Sequence, residues 1–393
     1  MTATHESPPR GAVAPALLVS AILLLALNLR GPIVAVSPVA GAIRADLGID
    51  SATVGLLTSL PVLCFGLATP LASALLARLG VARGVLVALG VLLAGTVVRS
   101  VGGLPTAIVG TLLIGAAVTV GNVAVPVVIG RDLPQRAGAV LGLYTAALNV
   151  GSMITLSLTV PIAGATNWRI AVASWGLLGL ASAALWWWAT RRAVAGGPAA
   201  PAGTTVAGPV WWRRPVVWTL TAAFSGQAFA YYGVTAWLPQ LLADERGMGV
   251  GAAGTASSVF QVAAIAGAVG VPVLLRVVPA RVTVWVVAAA WLTLPLGLLV
   301  APAAWAVWCA LGGAAQGGGI TVIFSLIVRQ ARDQAENRRM SALVQGGGYT
   351  VAAAGPLVLG ALHESSGGWT VPLLAVVAAV LLLAGAGTLA ARR

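Results

Sequence analysis

Residues 191–214 read RRAVAGGPAAPAGTTVAGPVWWRR. Ala, Gly and Pro fill the middle of this stretch, which favours a flexible linker over a helix. Arg191 and Arg192 precede it, and Arg213 and Arg214 close it. Trp186–Trp188 and Trp211–Trp212 sit where interfacial aromatics anchor helix ends. Outward from this linker the chain is overwhelmingly apolar: of 393 residues, 59% are hydrophobic and 8% charged. Ordinary soluble domains carry roughly 25% charged residues. A soluble fold of this length needs a charged skin that this composition cannot make. A cytoplasmic enzyme, a secreted domain and a disordered chain are thereby excluded. The apolar runs are continuous rather than alternating, which argues against a β-barrel. What remains is an all-α polytopic membrane protein.

A spanning helix needs about 20 mostly apolar residues. Twelve runs meet that requirement: 14–42, 52–77, 84–101, 105–129, 138–162, 168–190, 215–242, 250–275, 282–300, 303–328, 340–362 and 369–390. The linker divides them into six and six. The expected organisation is a disordered N-terminus over 1–13, a six-helix half over 14–190, the linker 191–214 and a second six-helix half over 215–390. The first run is too long for a cleaved signal, and no strongly basic segment precedes it, so it reads as a retained helix.

All 22 basic residues are Arg, and the net charge is +13. With twelve spans and the N-terminus inside, only Arg44, Arg99, Arg169 and Arg246 fall on outer segments, Arg30 lies within a span, and the other seventeen lie on the cytoplasmic side. The positive-inside rule then expects both termini in the cytoplasm of a bacterial inner membrane. The positive surplus reports topology and gives no reason to expect a nucleic-acid partner. Cys64 and Cys309 lie inside apolar runs and suggest neither a disulfide framework nor a metal site. Neither a metal nor a cofactor is expected.

A repeat runs through both halves at an offset of 201 residues. Pro38 meets Pro239, Gly48 meets Gly249, Arg131-Asp132 meets Arg332-Asp333, and Trp168 meets Trp369. Two six-helix halves related by an axis along the membrane normal place a solute site near the midplane between them. The same offset sets Arg30 opposite Tyr231, Asn28 opposite Phe229 and Tyr144 opposite Gln345.

These features carry a resemblance. LNLRGPIVAVSPV at 27–39, GLLTSLPVLCFGLATPLA at 55–72, GNVAVPVVIGRDLP at 121–134, NWRIAVASWG at 167–176, YYGVTAWLPQLL at 231–242, SALVQGGGYTVAAAGPLVLGALH at 341–363 and GGW at 367–369 resemble the cyanate permease and 2-nitroimidazole transporter family of the major facilitator superfamily. The resemblance spans nearly the whole chain. It implies a transporter of small polar solutes, often anionic or weakly acidic. The duplicated halves lead us to expect rocking of one half against the other about a central site, and a monomer. The superfamily's loop after the second helix reads ARLGVARG at 77–84, with its basic residues but without the usual acidic one.

Arg30 is the strongest single candidate. A charge at mid-bilayer costs roughly 2.5–3.5 kcal/mol on insertion scales, so it must face a cavity or a partner. The nine acids, Glu6, Asp46, Asp50, Asp132, Asp244, Glu245, Asp333, Glu336 and Glu364, all fall at loops or helix ends. A solute is therefore expected to supply the negative group, which suits a planar guanidinium fork. The alternative is that Arg30 bonds carbonyls freed at Gly31-Pro32.

Neutral polar residues form a second tier. Gln227 and Tyr231, Ser257 and Gln261, and Gln345 and Tyr349 each stand four apart, hence on one helix face. Asn28, Asn122, Tyr144, Asn149 and Gln316 complete the expected solute-binding set. The competing role for each is interhelical glue, worth about 0.6 kcal/mol on average. One of the adjacent pair Tyr231–Tyr232 is expected to point away, and Trp237 lies toward the outer interface, so Tyr232 and Trp237 rank lower. Arg131, Asp132, Arg332 and Asp333 are candidate gating residues at the cytoplasmic ends, against a plain reading as solvated loop charges. His363 beside Glu364 leaves proton coupling open, although an exposed loop histidine is the ordinary reading. A proton-driven drug exporter would need a carboxylate within the membrane, and none is visible. An intramembrane enzyme would need a nucleophile with a base, or metal ligands at depth; the sequence contains no HExxH or GxSxG, and its only histidines are His5 and His363.

Overall fold

The computed structural model describes residues 15–195, 211–332 and 334–392. The expected disorder of 1–13, the centre of the linker and Asp333 lie outside the described residues. Everything regular among the described residues is helical. The first half comprises α1 (Pro15–Leu47), α2 (Ser51–Leu67 and Thr69–Leu79), α3 (Val81–Ser100), α4 (Leu104–Asp132), α5 (Ala137–Ala165) and α6 (Trp168–Ser174 and Gly176–Ala195). The second comprises α7 (Pro215–Arg246), α8 (Val250–Val277), α9 (Ala280–Val300), α10 (Trp305–Gln330), α11 (Gln334–Ala352 and Ala354–Ser366) and α12 (Thr370–Ala390).

Ten segments are long and apolar enough to cross a membrane, and the two pieces of α2, bent by 62°, make an eleventh. The remaining run, α7, is a 32-residue helix, about 48 Å long at 1.5 Å per residue. Its length is ample, but Gln227, Tyr231, Tyr232 and Trp237 lower its hydropathy, and it buries most of its surface in protein. Large apolar side chains such as Leu71, Val277 and Val300 stand out from the bundle, as lipid-facing residues do.

Two breaks shape the interior. In α2 the second piece begins Thr69-Pro70, and the missing N–H of proline makes this a natural place to restart a helix. In α1 the regular helix ends at Val34, two residues after Pro32, and a 3-10 turn over Ser37–Val39 precedes the short helix Ala40–Leu47.

Glycines let backbones touch where hydrophobic association in lipid gives little drive. A methyl on Gly267 of α8 would overlap the Ala314 carbonyl oxygen, and methyls on Gly317 and Gly313 of α10 would overlap those of Ala264 and Phe260. These contacts lock α8 to α10. Gly151 against the Leu27 carbonyl does the same for α5 and α1, and Gly226 against the Ala379 carbonyl for α7 and α12.

The halves meet near the end of the bundle away from the termini. Gly55 of α2 lies under the Pro356 carbonyl of α11, and Gly254 of α8 under that of Leu156 of α5, each 2.8 Å from where a Cβ would stand. The Ser37 hydroxyl donates to the carbonyls of Thr235 and Ala236 in α7. The Ser51 amide donates to a Glu364 carboxylate oxygen at 2.8 Å.

Candidate functional site

Arg30 projects from α1 into the space between the halves, two residues before Pro32. Its Nη1 donates to the Tyr231 hydroxyl at 2.8 Å and to Asn149 Oδ1 at 3.2 Å. The guanidinium carbon also lies 5.1 Å from the Tyr231 ring centre. The residues that the repeat offset set opposite each other are thus bonded to each other. Both partners are neutral, and none of the ion pairs among the described residues includes Arg30. Hydrogen bonds to neutral groups solvate a charge without cancelling it.

Arg30 borders two chambers. One, of about 390 Å³, is lined by Arg30, Asn122, Tyr144, Tyr231, Tyr232, Gln345 and Tyr349, with Thr58, Phe65, Thr235 and Phe324. All four tyrosines of the chain therefore face one cavity. The other, of about 650 Å³, runs between α5, α8 and α10 past Thr145, Asn149, Gln316 and Thr321 to Arg276 and Arg329, at the end that carries the termini. Among the described residues, no Asp or Glu lines either chamber.

Polar pairs brace the walls. Tyr144 donates to Asn122 Oδ1 at 3.3 Å, and Tyr231 donates onward to Gln261 Oε1 at 3.5 Å. Gln261 in turn donates to the Thr235 hydroxyl at 3.3 Å. Phe65, Tyr232 and Tyr349 meet edge to face or tilted, with ring centres 5.5–6.4 Å apart. The Tyr232 and Tyr349 hydroxyls and the Gln345 amide have no hydrogen-bond partner among the described residues. The inventory facing the cavity is therefore rich in donors: one guanidinium, two free phenols and one free amide.

Several expectations change. Asn28 does not reach the cavity: its Nδ2 donates to Ser182 Oγ at 2.6 Å and to the carbonyls of Leu24 and Leu178, tying α1 to α6. Gln227 is also enclosed. It donates to the Gln316 carbonyl at 2.9 Å and accepts from the Trp291 indole at 3.0 Å, bridging α7, α9 and α10. Ser257 bonds only carbonyls of its own helix. Gln261 is buried behind Tyr231 and lines neither chamber itself. Sharing a helix face does not suffice, because the face meets different neighbours one turn along. Conversely, Tyr232 lines the cavity beside Tyr231, their ring centres 4.8 Å apart. Consecutive residues diverge by only about 100° around a helix, and a wide cavity accepts both. Trp237 is turned away and donates to the Pro356 carbonyl at 2.7 Å.

At the termini-bearing end, Arg131 pairs with its neighbour Asp132 through Nε–Oδ1 at 2.7 Å and Nη2–Oδ2 at 2.8 Å. In this state the pair does not reach across to the other half. The Arg332 amide donates to Glu336 Oε2 at 2.8 Å, and the Arg214 guanidinium pairs with Glu336 Oε1. Burial alone would raise the Glu336 carboxyl, but these donors and the two arginine charges outweigh it and hold it below the usual carboxylate range. His363 is not an exposed loop residue; its ring stacks on Trp369 with centres 4.0 Å apart.

A bundle of long apolar helices in two halves, with a polar cavity closed at one end and extending to the other, is the form of a solute transporter. The chain matches the family described as Major Facilitator Superfamily over residues 17–311. It is 32% identical to the uncharacterised transporter YycB of Bacillus subtilis over 95% of this chain and 93% of that one. It is 29% identical to the 2-nitroimidazole transporter of Escherichia coli, over 95% of each chain. With the cyanate transport protein CynX of Escherichia coli it shares 27% identity, over 92% of this chain and 94% of that one. Among solved structures, a bacterial homologue of the lysosomal transporter Spinster in an inward-facing, occupied conformation superposes with a TM-score of 0.75 at 15% identity, covering 96% and 97% of the two chains. The nucleoside transporter NupG superposes at 0.74 and 11%, covering 95% and 99%. The protein is a membrane transporter belonging to the major facilitator superfamily, and its curated relatives include cyanate and 2-nitroimidazole transporters.

Proposed function

We propose that the protein carries a small anionic, weakly acidic or nitro-bearing polar solute across a bacterial inner membrane by rocker-switch alternating access, with Arg30 as the anchor. The observation that carries this reading is the position of Arg30: a positive charge between two chambers, with neutral partners only and no carboxylate in the lining among the described residues. The solute supplies the missing negative group. Tyr232, Tyr349 and Gln345 add donors, and the aromatic walls favour a flat solute. The names of the relatives agree with this class. A proton-driven drug exporter fits less well, because among the described residues neither chamber offers a carboxylate to titrate.

Placing the arginine-rich ends in the cytoplasm makes the larger chamber the cytoplasmic passage. Ser37 and the Ser51–Glu364 contact then close the outer side. Arg131-Asp132 and Arg332-Asp333 become the groups that meet when the cytoplasmic side closes. A single copy holds both halves of the site.

The test is flux of cyanate and of 2-nitroimidazole into proteoliposomes. Losing a charged hydrogen-bonding anchor costs about 2 kcal/mol, so Arg30→Ala should lower flux roughly 30-fold. Wild-type flux in Arg30→Ala, for a solute the wild type carries, sinks the anchor.

A further inference from the structure

Arg99 stands one residue from the end of α3, where its sequence position suggests an outer loop charge. The structure buries it to 2% exposure. Its Nη1 donates to the Pro32 carbonyl at 2.6 Å, while Nε and Nη2 have no partner among the described residues. It takes part in none of the ion pairs there. A buried guanidinium that leaves donors unmet is a poor space-filler, since an apolar side chain would pack without that penalty.

Its one bond goes to a particular carbonyl. Pro32 lies two residues beyond Arg30, at the break in α1. The Ala35 amide still returns to the Gly31 carbonyl, but the Val36 amide makes no such bond to Pro32. The break therefore exposes the Pro32 carbonyl, and a charge-assisted donor takes it. The donor itself is fixed: a methyl on Gly110 of α4 would collide with the Arg99 backbone, so α3 and α4 are in direct contact there.

We infer that Arg99 is a positioning residue: it holds the break of α1 from α3 and thereby sets the direction in which Arg30 reaches Tyr231. Its meaning for transport rests on Arg30 being the anchor, but its geometry is tested separately. The four tyrosines all line the cavity, so the full-length protein labelled with 3-fluorotyrosine gives four 19F resonances, and Y231F assigns the one that reports the Arg30 contact. R99Q should move the Tyr231 resonance toward its position in R30A, and R99K, which keeps a charged donor, should leave it in place. If R99Q does not fold, R99M, which keeps the volume, replaces it. A Tyr231 resonance unmoved in R99Q or R99M overturns the inference. Flux of 2-nitroimidazole, run alongside, should fall in R99Q and recover in R99K. Absence of flux in the wild type would count against the proposed solute while the resonance still decides the role of Arg99.

Discussion

In the first half the indole of Trp168 donates to Asp46 at 3.2 Å; in the second, that of Trp369 donates to Asp244 at 3.0 Å. Each half also ends its first span on a left-handed glycine, Gly48 at φ 62° and Gly247 at φ 59°. At the centre the likeness stops. Arg30 and Tyr231 occupy equivalent positions in the repeat, yet one is a cation on a broken helix and the other a neutral phenol on a continuous one. The frame of a duplicated protein stays under the same packing constraints in both copies. The site between the copies does not: on the proposed reading one charge anchors the solute, and two facing each other would repel. The first half supplies the charge, and three of the four tyrosines come from the second.

The strongest way to break that contrast is to exchange the two side chains. R30Y/Y231R can still form the pair but moves the charge to the rigid helix; flux should fall to about the R30A level while the protein still elutes as a folded species. If the exchange transports normally, the side of origin is irrelevant. Y231F alone removes the hydroxyl that accepts from Arg30 and donates to Gln261 but keeps the charge; at about 1.5 kcal/mol, flux should drop about tenfold. The frame should respond evenly. W168F and W369F each lose one indole bond, and thermal unfolding in detergent should show about 1 kcal/mol for each. Neither should be clearly worse, because each ring has a close partner of its own: the Arg169 guanidinium 4.5 Å from the Trp168 ring centre and the His363 ring 4.0 Å from that of Trp369.

The smallest effect concerns Glu336, whose repeat equivalent is the neutral Gln135. Its carboxyl is held below the usual range, so it stabilises the fold at neutral pH, and that contribution is lost as pH falls through the lowered value. Wild-type stability should decline below the ordinary glutamate value of about 4.3. In E336Q the contribution should be missing at every pH, with that acid-dependent step absent. An unchanged acid profile in E336Q would show the Arg214 pair to be idle.

Hydropathy and arginine placement made the architecture readable from residues alone, and Arg30 stood out because a charge in an apolar run has few explanations. The surroundings of Arg30 were less readable. Asn28 and Asn149 look alike in sequence, yet one ties α1 to α6 and the other receives a bond from Arg30, because which neighbour a face meets depends on how the helices cross. Arg99 looked like a loop charge since it sits at a span's end; only the break in α1 beside it reveals a buried partner. Spacing reports which residues share a face of a helix, while burial is decided by the helix opposite.

The close contacts of α8 and α10 have a consequence for genetics. Any single-base change in a glycine codon that alters the amino acid adds at least a Cβ. Where the facing atom belongs to a side chain, as Leu29 faces Gly121, a second substitution can trim the neighbour and restore the fit. Gly267 and Gly317 face main-chain carbonyls, which no substitution can shorten. Lesions at these two glycines should therefore yield no compensating change at the contact itself, and selection for revertants should return glycine.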